Sequence, residues 1–199
     1  MADFLVLANS IKNEERCLAG ILNPFSSDLC FCRLVSNKDG GPICNTLLIQ
    51  NKGYLSMIKP LDVIDVTLGQ AVPLDGQPEN ILLDITKPVI YKNSIQKDDL
   101  IPFIQHPDNI WGVDSIAEVS HIGDSIKLIE VQSPKVDKTY RNLPSLNFIF
   151  NGINYNIRCT EEDFVYRIIP KNIIKCVICV TSGASLNGSF FKFVASVIF

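Results

Sequence analysis

The residues able to do chemistry fall into a few short stretches. Cys30 and Cys32 form a C-x-C pair, and Cys176 and Cys179 a C-x-x-C pair. Two such pairs are the donor set of a tetrahedral zinc site. Their surroundings point elsewhere. Cys30-Phe31-Cys32 runs on into Leu34 and Val35, and Cys176 to Val180 is apolar throughout. Both read as strands, and on a strand residues i and i+3 face opposite sides. The seven cysteines therefore read as reduced, mostly buried thiols, with no metal and no cofactor.

Asn9, Ser10, Lys12 and Arg16 follow a short apolar run. Two cations beside two short hydrogen-bonding side chains suit phosphate oxygens. They equally suit an ordinary loop in which Ser10 caps a turn. Arg33 interrupts an apolar run, where it either meets a ligand at a sheet face or is paired internally, because an unpaired buried charge is costly. Gln77 and Asn80, in Gln77-Pro78-Glu79-Asn80, offer base-edge hydrogen bonds or backbone capping. If Glu79 is buried, its natural partner is Arg16 or Arg33. Trp111, the single tryptophan, reads as a packing anchor between two halves of the chain, with base stacking as the alternative. Phe148, Phe150 and Tyr155 alternate as a stacking platform or a core would, and the core reading is preferred. Lys171, Lys175 and Lys192 either line a groove or solubilise an edge strand. His106 and His121 sit in no catalytic motif, and no phosphate loop or nucleophile elbow occurs, so the chain reads as a non-enzyme.

The elements that must position these residues are strands. Phe4–Ala8, Cys17–Leu22 (with Gly20 as a candidate bulge), Leu29–Val35, Thr46–Ile49, Val63–Leu68 and Asn80–Ile85 are short apolar or alternating runs bracketed by proline and glycine. Thr86 to Ser125 is less regular. Asp98–Pro102 and Pro107–Trp111 each carry an aspartate or asparagine able to open a short helix, as does Thr160-Glu161, which places a short one over Glu161–Tyr166. A second strand series starts at Ile126. Asn151-Gly152 between two alternating runs predicts a two-residue hairpin, and Cys176–Thr181 pairs with Phe190–Ile198 across a glycine- and serine-rich turn.

The chain of 199 residues has 47% hydrophobic and 20% charged residues, with 11 glycines and 11 prolines, which excludes disorder and collagen-like repeats. No apolar run approaches the roughly 18 residues of a membrane helix. A net charge of −3 argues against coating nucleic acid by bulk charge. The opening MADFLVLANS lacks the basic leader of a signal peptide, which predicts a reducing cytoplasm. Five or so strands, a connector and five or so more predict an all-β protein of two small barrels or sandwiches in series, a periodicity that SH3-like barrels or one larger sandwich also fit. The OB fold is the cheapest such unit, and the adopted reading is two OB-like Greek-key barrels in tandem with an irregular connector. The expected boundaries are 1–90, 91–125 and 126–199.

Several stretches resemble the bacterial dual OB-containing domain family: Leu7-Ala8-Asn9-Ser10-Ile11-Lys12, Arg16–Gly20, Arg33-Leu34-Val35-Ser36, Leu61–Ile64, Gln77–Asn80, Asp108–Trp111 and Phe191–Ile198. Phe31 and Leu34 stand where the family pattern often has tryptophan and proline. The resemblance implies tandem oligonucleotide/oligosaccharide-binding (OB) folds. It also implies nucleic-acid or nucleotide sensing, often in bacterial or phage conflict. On it, the ligand-binding set is Asn9, Ser10, Lys12, Arg16, Arg33, Ser36, Gln77 and Asn80. The alternative is an accessory subunit with a protein partner. Neither reading involves a membrane.

Overall fold

The computed structural model describes residues 1–12, 15–44, 48–51, 54–112, 116–117, 123–138, 143–161, 173–183 and 189–199. They form two compact units. Unit 1 is Met1–Leu74 with Pro78–Leu100; unit 2 is Asp75–Gln77 with Ile101–Phe199.

Unit 1 begins with an antiparallel meander of β1 (Ala2–Lys12), β2 (Glu15–Leu22) and β3 (Cys30–Val35). A hairpin of β4 (Leu48–Asn51) and β5 (Tyr54–Met57) follows. The expectation of one strand over Val63–Leu68 is corrected: Thr67 divides β6 (Asp62–Val66) from β7 (Leu68–Ala71). After β8 (Asn80–Leu83), β9 (Val89–Ser94) lies inside the stretch that the sequence left irregular.

The sheet runs β5-β4-β9-β6-β1-β2-β3-β8-β7. Its pairings come round on themselves. β3 is parallel to β8, β8 is antiparallel to β7, and β7 continues through Thr67 into β6, which is antiparallel to β1. The N–H of Asp84 donates to the carbonyl of Thr67 at 2.9 Å, carrying the hairpin across the break. The ladder is therefore the partly open five-stranded Greek key of an OB fold, joined end to end at Thr67.

Alternate residues fill the core: Phe4 and Val6, Leu18, Cys32 and Leu34, Ile64 and Val66, Leu83. The bulge expected at Gly20 lies on β1 instead, between Val6 and Ala8. Gly20 is needed for another reason: a Cβ there would collide with the Leu5 carbonyl and the Phe4 ring.

A 3-10 helix, Lys97–Phe103, covers the predicted Asp98–Pro102 segment; Pro107–Trp111 has no helix. Unit 2 has β10 (Ile116–Ala117), β11 (Ile126–Lys138), β12 (Pro144–Phe150), β13 (Ile153–Arg158), β14 (Lys175–Ser182) and β15 (Phe190–Ile198). Its order is β10-β15-β14-β11-β12-β13. Past β13, Cys159 makes a parallel bridge to Val194 of β15, and Thr160 N–H donates to the Val194 carbonyl at 3.0 Å. The path β11-β12-β13-β15-β14-β11 repeats the order of unit 1, with a parallel contact between the third and last strands both times. The Asn151-Gly152 turn has positive φ at both residues, 49° and 77°, as predicted.

Phe148 and Tyr155 stack in the unit 2 core with ring centroids 5.6 Å apart; Phe150 lies in the same core. Cys176 belongs to that core with Ile178, so Cys179, buried as well, takes the other face of β14. Most of the predicted Glu161–Tyr166 helix, His121 and Lys171 lie outside the described residues.

Candidate nucleic-acid interface

Equivalent strands carry opposite surfaces in the two units. The second and third strands of an OB fold present one face to the core and one outward. In unit 1 the outward residues of β2 and β3 include Ala19, Ile21, Arg33 and Val35, and all four are buried. In unit 2 the outward face of β11, β12 and β13 is open from Gln132 onward, although Ile126, Leu128 and Ser145 on it are buried and Asn147 is half-buried. Gln132, Lys135 and Asp137 stand beside Ile149, Asn147 and Ser145, and these beside Asn154, Asn156 and Arg158. Gln132, Lys135, Asp137, Ile149, Asn154, Asn156 and Arg158 are exposed.

This face is rich in amides and nearly balanced in charge. Asn147 and Asn156 are directly opposite each other. The Nδ2 of Asn156 donates to Asp137 Oδ2 at 3.1 Å, which orients the amide and occupies the carboxylate. The Arg158 guanidinium lies 6.0 Å from the Phe193 ring centroid. On the neighbouring strand β14, which is paired on both sides and not an edge, Lys175 donates to Glu130 of β11 at 2.7 Å. Lys135 and Arg158 remain as the cations beside the amides. Asn and Gln amides offer paired donors and acceptors to base edges; a guanidinium plane accepts a stacked base.

The residues singled out from sequence are placed differently. Asn9 stands opposite core residue Leu18, so it and Arg16 share the inner face of the meander, whereas Arg33 and Ser10 face the other way. Asn9 Nδ2 donates to the Ile58 carbonyl at 2.8 Å, and its Oδ1 is buried without a hydrogen-bond partner. Ser10 and Arg16 are buried. The Arg16 backbone exchanges two hydrogen bonds with Ile43, at 2.8 and 2.7 Å. Lys12 ends β1 opposite Glu15. Arg33 and Asn80 are adjacent in parallel register and both buried. The Arg33 backbone N–H donates to the Glu79 carbonyl at 3.2 Å. Ser36 is half-buried, its N–H donating to the Gly41 carbonyl at 3.0 Å. Gln77 belongs to unit 2, buried, with Nε2 donating to the Ser182 carbonyl at 3.3 Å.

Two further residues take scaffold positions. Trp111 packs on the unit 2 core. Its indole N–H donates to Asp124 at 2.9 Å and Lys127 lies 5.0 Å from its ring. Lys192, expected at a groove or edge, is 2% exposed and donates to the Gly112 carbonyl at 2.7 Å. Sequence reasoning missed Asn147, Asn154, Asn156 and Arg158. The available signal was their alternation with Phe148, Tyr155 and Ile157: if the aromatics form the core, the amides between them must face out.

All seven cysteines are among the described residues, and none forms a disulfide. Burial raises the pKa of the Cys32 and Cys159 thiols well above the ordinary thiol value. Burial also raises that of Cys30, with the Asp28 charge adding to it.

Two five-stranded Greek keys in series, one with an open polar face, define a tandem OB protein. The chain belongs to the dual OB-containing domain family, whose profile matches residues 2–197. Comparisons with curated proteins and with solved structures find no match. No helix among the described residues is long and apolar enough to cross a membrane.

Proposed function

We propose that the protein is a non-catalytic nucleic-acid recognition module, and that it binds unpaired strands on the outward face of β11, β12 and β13 in unit 2. The observation that carries this reading is a contrast between the two units: Ala19, Ile21, Arg33 and Val35 are buried on the outward face of unit 1, whereas Lys135, Asn154, Asn156 and Arg158 are exposed on that of unit 2, beside the half-buried Asn147. Membership of a dual OB family supports a binding role rather than a catalytic one.

The chemistry favours single strands. Amides read base edges that duplex pairing would occupy, and Arg158 offers a plane for one splayed base. With Lys135 and Arg158 as the cations among the described residues of the face, phosphate contacts contribute a shallow salt dependence. Fluorescence polarisation against labelled single-stranded and duplex DNA and RNA, across a salt series, tests the proposal. Single strands bind more tightly, with a salt slope of about two or less. Equal binding of duplex, or a steep slope, removes the base-edge reading.

A further inference from the structure

We infer, resting on the reading of unit 2 as a surface for unpaired strands, that this face selects bases carrying an exocyclic amine over uracil and thymine, and that Asp137 sets the preference through Asn156. A free asparagine amide does not discriminate in this way. It turns over, offering Nδ2 or Oδ1 as the partner requires.

Asn156 is exposed, but its amide is tethered. Its Nδ2 donates to Asp137 Oδ2 at 3.1 Å, and Asp137 Oδ1 accepts the Lys138 backbone N–H at 2.8 Å. A carboxylate only accepts, so turning the amide over would set Oδ1 against Asp137 Oδ2 and lose the bond. Nδ2 therefore stays toward Asp137, and Oδ1 is the end left for a ligand. The tether reaches across β12: Lys135, Asn147 and Asn156 form one cross-strand row, and Asp137, Ser145 and Arg158 the next. The register is regular between these two rows, so the sheet fixes the two groups relative to each other.

The two rows divide the work. Lys135 and Arg158 take phosphate or a stacked ring, and the base edge meets Asn156 Oδ1 and the unused lone pairs of the Asp137 carboxylate. That pair is rich in acceptors. Adenine, cytosine and guanine bring an amino group, whose N–H bonds suit neighbouring acceptors. Uracil and thymine bring one N–H between two carbonyl oxygens. Pairing that N–H with Oδ1 turns a carbonyl toward the carboxylate, which offsets the bond gained. Asn147, opposite Asn156, has no such tether and adapts to either kind of base.

Fluorescence polarisation with labelled dC, dU and dA strands of about 12 nucleotides, at one low salt concentration and mildly alkaline pH, tests this. Cytosine and uracil share a ring size and differ at the edge, so their ratio reports the edge. Wild type binds dC about fivefold or more tightly than dU, and dA also exceeds dU. Asp137→Asn removes the carboxylate and lets the Asn156 amide turn, so dC and dU then bind within about twofold of each other. Circular dichroism confirms that the variant folds. Wild type binding dU as tightly as dC overturns the inference and leaves strand binding standing. Asp137→Asn raising affinity for every strand alike, with the ratio unchanged, also overturns it, since the carboxylate then acts only as a repelling charge. Binding of no strand removes the strand-binding reading itself, and the base preference with it.

Discussion

Asn147 on β12 stands directly opposite Asn156 on β13, and Asn156 is held by Asp137 on β11. One amide is tied to the scaffold and its neighbour is not, on a face backed by the stacked Phe148 and Tyr155 rings. The stack is buried, and the amides above it are positioned by β-sheet geometry rather than by loops. From this arrangement come the first expectations.

Amide and cation substitutions on this face separate by readout. Asn154→Ala and Asn147→Ala change which oligonucleotides bind best and leave the salt slope alone. Lys135→Ala lowers the slope by about one unit and affects all sequences alike. Titrations of homopolymeric single strands at several salt concentrations check this. A loss of slope with Asn154→Ala shows that the residue reads phosphate instead.

Arg33 is part of the scaffold. Because it is buried beside Asn80, Arg33→Ala strands buried polar groups and costs about 1–3 kcal/mol of stability. Chemical denaturation measures the loss. An unchanged midpoint shows that the guanidinium is spare and returns Arg33 to the ligand-binding candidates.

Trp111 combines packing with a hydrogen bond to Asp124. Trp111→Phe keeps most of the packing and costs about 0.5–1.5 kcal/mol. Trp111→Ala costs about 3 kcal/mol, the low end for an aromatic truncation, because the ring is only partly buried. Neither change alters oligonucleotide affinity once the protein is folded; a selective loss of binding moves Trp111 to the interface.

The thiols divide by burial. Cys44 and Cys30 are exposed and label with a thiol reagent in the folded state, whereas Cys32, Cys159, Cys176 and Cys179 label only on unfolding. Cys30 has a raised pKa, so less of it is thiolate at a given pH, and its labelling rate climbs at higher pH than that of an ordinary thiol. Mass spectrometry after timed labelling resolves the sites. Rapid modification of Cys32 at neutral pH contradicts its burial.

The fold was legible because it is written in local alternation. Asn151-Gly152 demanded positive φ, and the runs on either side carried period-two patterns that became β12 and β13. The divided strand at Thr67 was not legible, since Val63 to Leu68 alternates without interruption and only the competing partners β1 and β8 show where pairing changes. The polar residues were misleading in unit 1 for a related reason. Arg16 and Arg33 look like surface cations in one dimension, but burial depends on what covers a face, and period-two reading assigns faces without saying which are covered. Lys192 is the same case in unit 2: its side chain is buried, 5.8 Å from the core Tyr155 ring, and its amine ends on the Gly112 carbonyl.

The central claim is that the open face of unit 2, and not the polar residues of unit 1, carries recognition. The direct measurement is fluorescence polarisation of one labelled single strand at about 50 mM salt, where phosphate contacts are strongest, with wild type, Arg158→Ala and Lys12→Ala side by side. Arg158→Ala removes a phosphate or stacking contact and weakens binding by about tenfold, while Lys12→Ala matches wild type. The account is contradicted if Lys12→Ala weakens binding and Arg158→Ala does not, or if wild type binds no strand at all.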